Sequence, residues 1–171
     1  MDFYELIRKR HSVREFKEKT IEPDKLKRIL QAAESAPSAG NLQAYKIYVV
    51  HSKEARDALA GAAFYQEFIS QAPVALVFCA DQRQSEAKYE KRGFELYSVQ
   101  DATIACAFAM LAAEAEGLSS VWVGGFDPLE TSRIIQAMPF EVPVAVLPIG
   151  YAGEKPERTG RRPLEELVKE I

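Results

Sequence analysis

Cysteine, histidine and tryptophan are scarce in this chain: two, two and one among 171 residues. Cys79 and Cys106 both lie in apolar runs. They read as buried thiols of a reducing compartment, not as a disulfide or a metal pair. His11 and His51 lack the Cys/His spacing of a zinc site. Neither sign of charge dominates: 22 Lys and Arg face 25 Asp and Glu, for a net charge of −3. That balance argues against a nucleic-acid partner. No apolar run reads as long and uncharged enough to span a membrane. The opening Met-Asp-Phe-Tyr-Glu-Leu is acidic and amphipathic, unlike a signal peptide. Repeats, low-complexity tracts and linkers are also missing. What is present, 47% apolar and 27% charged residues, predicts one cytoplasmic domain over residues 1–171, of α/β or α+β class.

The periodicities give the elements in order. Residues 2–10 read as a short helix with Phe3, Leu6 and Ile7 on one side. Glu22-Pro23-Asp24 opens a second helix striped by Leu26, Ile29, Leu30 and Ala33. A strand follows over Lys46–Val50, and Ser52 caps a helix from Lys53 to Ala63. Phe64–Gln71 reads as a further helical turn or two, stopped by Pro73. Val74–Cys79 is a continuous apolar run, the pattern of a buried central strand. Gln82–Lys91 reads as an exposed polar helix or lid. Tyr97–Glu116 is a long helix, apolar over much of its circumference, so it is expected at the centre of the fold or at a subunit interface. Gly117 stops it. Strands over Leu118–Val123 and Pro143–Ile149, with a helix over Leu129–Ala137 between them, complete the core. Leu164–Val168 ends the chain as a short amphipathic anchor.

Three stretches carry chemistry. Arg8-Lys9-Arg10-His11-Ser12-Val13-Arg14 gathers cations and a hydroxyl that suit a phosphate dianion, although a solvated helix end has the same composition. It has no glycine-rich cradle and is no P-loop. Ala36-Pro37-Ser38-Ala39-Gly40-Asn41-Leu42-Gln43 joins a helix to a strand and offers a hydroxyl and two amides to a polar-edged ring; an ordinary loop is the plain alternative. Gly124-Gly125, at a strand end, lets backbone approach something flat, or simply makes a turn. Beyond Gly150 the chain turns polar and carries Arg158, Arg161 and Arg162. No nucleophile–base pair, paired carboxylates or metal-ligand set stands out, so no catalytic or metal-binding side chain is assigned. A binding site without catalytic side chains points to a cofactor that carries the chemistry.

With these motifs in this order, the chain resembles the nitroreductase family of FMN-dependent oxidoreductases in its short form. The matching residues are Arg10–Arg14, Ala36–Gln43, Trp122-Val123-Gly124-Gly125-Phe126 and Arg161-Arg162-Pro163-Leu164-Glu165-Glu166. The resemblance implies an α+β fold, a mostly antiparallel mixed sheet wrapped by helices. It implies a homodimer with FMN at the subunit interface and NAD(P)H as electron donor. Arg10, His11, Ser12 and Arg14 would hold the phosphate and ribityl chain, and Arg161 would reach the same phosphate. Pro37, Ser38, Asn41 and Gln43 would contact the ring from the other subunit, and Gly124 and Gly125 would lie against it. The implied activity is ping-pong reduction of nitroaromatics, quinones or similar small electron-poor acceptors, with no nucleic acid and no membrane involved. A flavin-consuming or dehydrogenating enzyme, or a non-enzymatic flavin carrier or redox sensor, stands beside it on the same fold. The chain departs from the family pattern at Thr159, where many members carry Lys and where Arg158 is the candidate substitute. It also has Gln66 in the segment where some members hold the ring's pyrimidine edge with Lys or Asn.

Overall fold

A computed structural model describes residues 2–157 and 159–171; Arg158, the candidate substitute near the phosphate, lies outside the described residues. The elements are α1 (Phe3–Lys9), α2 (Pro23–Glu34), β1 (Tyr45–Val50), α3 (Lys53–Ala62), α4 (Phe68–Gln71), β2 (Val74–Asp81), α5 (Gln82–Arg92), α6 (Ser98–Ala115), β3 (Ser119–Ser120), α7 (Pro128–Ile135) and β4 (Glu141–Gly150). The strands form one antiparallel sheet in the order β1-β2-β4-β3. The fold is therefore α+β.

The apolar run of β2 is explained by cover on both faces. Leu76 and Phe78 join Ala145, Leu147 and Ile149 of β4 in a core closed by Ile29 and Ala33 of α2 and Ala105, Cys106 and Ala109 of α6. Ala75, Val77 and Cys79 point the other way, into a second core with Leu59 and Ala60 of α3. A strand buried on both sides has no reason to alternate apolar with polar residues. Each large side chain buried there, Phe78 among them, contributes about 1.5–3 kcal/mol.

Cap chemistry sets the helix ends. Asp2 accepts from the Glu5 N–H at 2.8 Å, Ser52 from Ala55 at 3.2 Å and Asp81 from Gln84 at 3.0 Å. Asp127 accepts from both Leu129 and Glu130 at the start of α7. Gly117 ends α6 with φ +73°, and the next N–H, on Leu118, bonds back to the Ala113 carbonyl at 2.9 Å.

Three expectations are corrected. The strand expected over Leu118–Val123 shrinks to Ser119–Ser120 plus a bridge from Val123 to Val146. The Ser120 carbonyl also accepts from Val13 at 3.2 Å, so the segment after α1 adds to the edge of β3 away from β4. The helix expected from Phe64 begins only at Phe68, because Phe64 and Tyr65 adopt left-handed φ of +56° and +62°. Finally, α5 and α6 run on through a π-helical stretch (Gly93–Tyr97), and within the helical span Gln82–Ala115 a window is long and apolar enough, by length and composition, to cross a bilayer. This differs from the expectation that no apolar run is long enough to span a membrane. α6 lies against the sheet and α2, which fully bury Ala102, Ala105, Ala109 and Ala113.

Candidate functional site

The basic cluster lies at the C-terminal end of α6. Arg10 caps α1, its own N–H bonding back to the Leu6 carbonyl at 3.0 Å. The chain then meets the sheet edge, where Ser12 bridges Ser120. A cavity of about 620 Å³ opens there, lined by Arg8, Lys9, His11, Glu114, Ser119 and Lys155. His11 Nδ1 lies 2.6 Å from the Lys9 carbonyl, which fixes the proton of a neutral ring on Nδ1. Lys9 reaches Glu114 of α6 at 4.0 Å. The Nη1 of Arg10 is buried and has no hydrogen-bond partner among the described residues. A buried guanidinium nitrogen left unpaired is costly, and an anion is the partner that best relieves it.

The C-terminal segment does come to this cluster, through a residue that sequence reasoning missed. Gly153 N–H donates to the Glu15 carbonyl at 2.7 Å, and Arg14 N–H donates to Glu154 Oε1 at 2.5 Å. These bonds lay residues 153–156 along residues 13–15 and bring Lys155 to the cavity. Arg14 itself is exposed. Arg161 does not line the cavity; it is exposed and its Nη1 bonds Thr159 Oγ1 at 3.1 Å and the Gly160 carbonyl at 3.0 Å. Nothing in the polar turn after Gly150 marks Lys155 above its arginines.

The amide-bearing loop lies at the other end of α6. Gly40, Asn41 and Gln43 are all left-handed, at φ +57°, +57° and +46°. A Cβ on Gly40 would fall 2.4 Å from the Tyr89 hydroxyl and 2.7 Å from Lys88 Nζ, side-chain tips that could shift, so it is the left-handed φ that favours glycine there. The polar helix α5 thus lies over this loop. Ser38 Oγ accepts from the Gln43 N–H at 2.9 Å, and Gln43 Nε2 donates to Asn41 at 2.7 Å (carbonyl) and 2.6 Å (Oδ1). Much of the hydrogen-bonding capacity expected to face a ring is therefore used inside the loop. The Gln43 carboxamide oxygen and the Asn41 amide N–H groups remain for a ligand. Asp101 of α6, only 2% exposed, accepts from the Ala39 N–H at 2.9 Å and the Ala44 N–H at 3.3 Å, clamping both ends of the loop. The sequence held a signal for it: Asp101 is the only carboxylate between Glu95 and Glu114. Pro37 and Ser38 line a cavity of about 490 Å³ with Tyr97, Gln100, Thr103 and Ile104.

Gly124 and Gly125 are exposed four residues beyond Ser120, a run of about 13 Å at strand rise. A Cβ on Gly125 would meet nothing within 4 Å. Gln66 Nε2 donates to the Gly125 carbonyl at 3.0 Å and to Ala63 at 2.9 Å. Its amide nitrogen is thus committed to holding the glycine turn, a role the sequence did not suggest. Phe64 and Tyr65, 69% and 80% exposed, flank this turn in left-handed backbone that bulky residues resist.

The other titratable groups offer no nucleophile. Burial pushes the Cys79 thiol up to about 12 and the Cys106 thiol higher still. Among the described residues no group of His, Cys, Asp and Glu could hold a metal ion. The arrangement is a cationic cavity beside Ser119 and an open glycine turn a few residues further along the chain.

Comparison with known proteins places this geometry. A sequence model described as the Nitroreductase family matches residues 7–66 and 61–151. The chain is 32% identical over 188 residues to an NADH dehydrogenase of Thermus thermophilus, covering 94% of this chain and 91% of that protein. It is 30% identical over 169 residues to an FMN reductase [NAD(P)H] of Bacillus subtilis, covering 91% of this chain and 68% of that one. The solved structure of an NADPH:FMN oxidoreductase from Vibrio harveyi, complexed with NAD+, superposes with a TM-score of 0.90 at 26% identity over 98% of this chain and 76% of that one.

Proposed function

This chain belongs to the nitroreductase family, and from that premise we propose how its own residues serve the activity. It is an NAD(P)H-dependent flavin oxidoreductase, with FMN as cofactor. When bound, FMN would supply hydride-transfer chemistry between NAD(P)H and an electron-poor acceptor such as a nitroaromatic or quinone.

One observation carries the assignment of residues: the buried Nη1 of Arg10 has no partner among the described residues, and its chain neighbours Lys9 and His11 line the cavity, although Arg10, Ser12 and Arg14 themselves do not. Arg10, His11, Ser12 and Arg14 hold the phosphate, with Lys155 beside them; Arg161 would join them only by leaving its bonds to Thr159 and Gly160. The segment from Ser120 to Gly124, at most about 13 Å long, leaves room for a ribityl chain and then a flat ring against Gly124 and Gly125. Their backbone presents donors without side chains in the way. No protein acid or base is assigned, because solvent supplies protons to so open a site.

Pro37, Ser38, Asn41 and Gln43 contact the ring from the partner of a homodimer. Two features support this. Glu114, at the cationic cavity, lies about 15 Å along α6 from Ile104, at the loop cavity. Phe3, Tyr4 and Ile7 of α1 and Leu164, Leu167 and Val168 near the C-terminus are exposed, an apolar surface that a partner would cover. A cytoplasmic setting, where NAD(P)H is at hand, fits the two free buried cysteines.

Anaerobic mixing tests the reading. NADH or NADPH should bleach the FMN-loaded protein, and a nitroaromatic or quinone should restore the colour. If neither nucleotide bleaches it, the oxidoreductase reading fails. If bleaching occurs but neither acceptor restores the colour, only the acceptor class fails. Sedimentation at micromolar concentration should give a dimer.

A further inference from the structure

A second cavity, of about 500 Å³, lies where the 16–20 segment, the start of α3 and the end of α4 meet. Its walls include Lys17, Lys19, His51, Lys53, Arg56 and Ser70, none of them in the site described above. Arg56 is the unusual member. It is 8% exposed, yet it makes no ion pair among the described residues. Its Nη1 donates to the His51 carbonyl, and its buried Nε has no partner. Burial pushes the guanidinium below its ordinary range, while Asp57 and Glu54 offset this only from a distance. A buried cation without counter-ion or full hydrogen bonding is a strongly unfavourable arrangement for a protein to keep empty.

The surroundings fit an anion. Lys17 has no side-chain partner among those described. Lys19 is only loosely engaged, 4.0 Å from Glu22 and 3.7 Å over the Tyr151 ring. Lys53 is committed to Asp57 at 2.7 Å and to Ser70 at 3.1 Å. Glu18 is the one acid on the wall. Lys53 is also the first residue of α3, a ten-residue helix whose N-terminal end favours negative charge. The volume exceeds that of a bare ion and suits a small phosphorylated molecule.

We propose that this cavity is a second anion site that takes a phosphoryl dianion, free or carried as a monoester of a small molecule, with Arg56 and Lys17 as its principal donors. The site stands on its own residues and does not depend on the flavin chemistry.

The test uses FMN-loaded protein, so that the flavin's own phosphate site is filled, with flavin fluorescence followed to show that FMN stays bound. Ribose 5-phosphate, inorganic phosphate and ribose are titrated by calorimetry. Ribose 5-phosphate should bind and ribose should not; inorganic phosphate binding as tightly would identify free phosphate as the source. Arg56→Lys should weaken binding about tenfold or more, as expected for loss of a charge-assisted forked contact. Lys17→Gln, an exposed change that spares the fold, should weaken it about fivefold. Ribose 5-phosphate should also raise the melting temperature of the wild type more than that of Lys17→Gln. Absence of binding by either phosphate at millimolar concentration overturns the proposal, as does binding left unchanged by both substitutions.

Discussion

At the N-terminal end of α6, Asp101 spends its carboxylate on the Ala39 and Ala44 N–H groups and pins the loop between them. At the C-terminal end, the Arg10 guanidinium keeps a buried nitrogen bonded to nothing described. Both residues are charged and both are wholly or partly buried. They differ in what completes them. The loop end is finished by the chain itself, so its shape is set by folding. The cationic end is left open, so its shape is completed by a ligand. A polar group satisfied within the protein supports stability, whereas one left unsatisfied stores binding energy for something else.

The comparison breaks most visibly at Asp101. Asp101→Ala leaves two backbone N–H groups without their acceptor, one of them fully buried. The expected loss is about 3 kcal/mol of unfolding free energy, read from urea denaturation of the FMN-free protein. Asp101→Asn has one carbonyl for two donors and should lose about half of that. A loss below about 0.5 kcal/mol would mean that the loop holds its shape without the clamp.

Arg10 should behave in the opposite way. Arg10→Ala should weaken FMN binding by about 1.5–3 kcal/mol, measured by flavin fluorescence. The same change should leave the FMN-free protein no less stable, because it removes a buried guanidinium nitrogen that has no partner among the described residues. If Arg10→Ala destabilises the free protein as much as Asp101→Ala does, the contrast between the two ends is wrong.

The same contrast explains what the sequence disclosed. Helices and central strands were legible wherever periodicity and caps agreed, as at Pro23–Glu34, Ser52–Ala62 and the buried run of β2. Burial on both faces of β2 leaves a pattern that composition alone carries. The short β3 was not legible, because its ladder lapses between Ser120 and Val123 against β4, a strand that begins more than twenty residues further on. The Phe64-Tyr65 turn was hidden for a related reason: two aromatic residues in left-handed backbone contradict local preference, and the Gly125–Gln66 bond beside them is a tertiary contact. The basic stretch and the glycine pair were legible by type. What could not be read was which cation arrives: Lys155 comes to the cavity because Gly153 and Glu154 bond to residues 14 and 15. That partnership has no local signature.

The smallest effect expected lies at the same C-terminal end of α6, on its α2 side. There the Glu116 carboxylate accepts a forked pair from Arg28, at 2.8 Å to Nε and 2.7 Å to Nη2, and its carbonyl accepts from Lys25 at 2.8 Å. The Arg28 hydrogen bonds hold the Glu116 carboxyl below the ordinary value of 4.5, with burial opposing them. A carboxyl whose pKa is lower folded than unfolded stabilises the fold above its unfolded pKa, and the benefit fades as pH falls through the folded one. Arg28→Met should therefore lower stability slightly at neutral pH and flatten the decline between about pH 5 and pH 3, so that mutant and wild type converge in acid. Both partners face solvent, and added salt should shrink the difference. FMN affinity should be unchanged, because this pair is satisfied within the chain and lies apart from the open cluster. Urea melts across the pH series check the sign: a gap between the two proteins that stays unchanged in acid would assign the destabilisation to lost packing of the Arg28 stem and not to the charge pair.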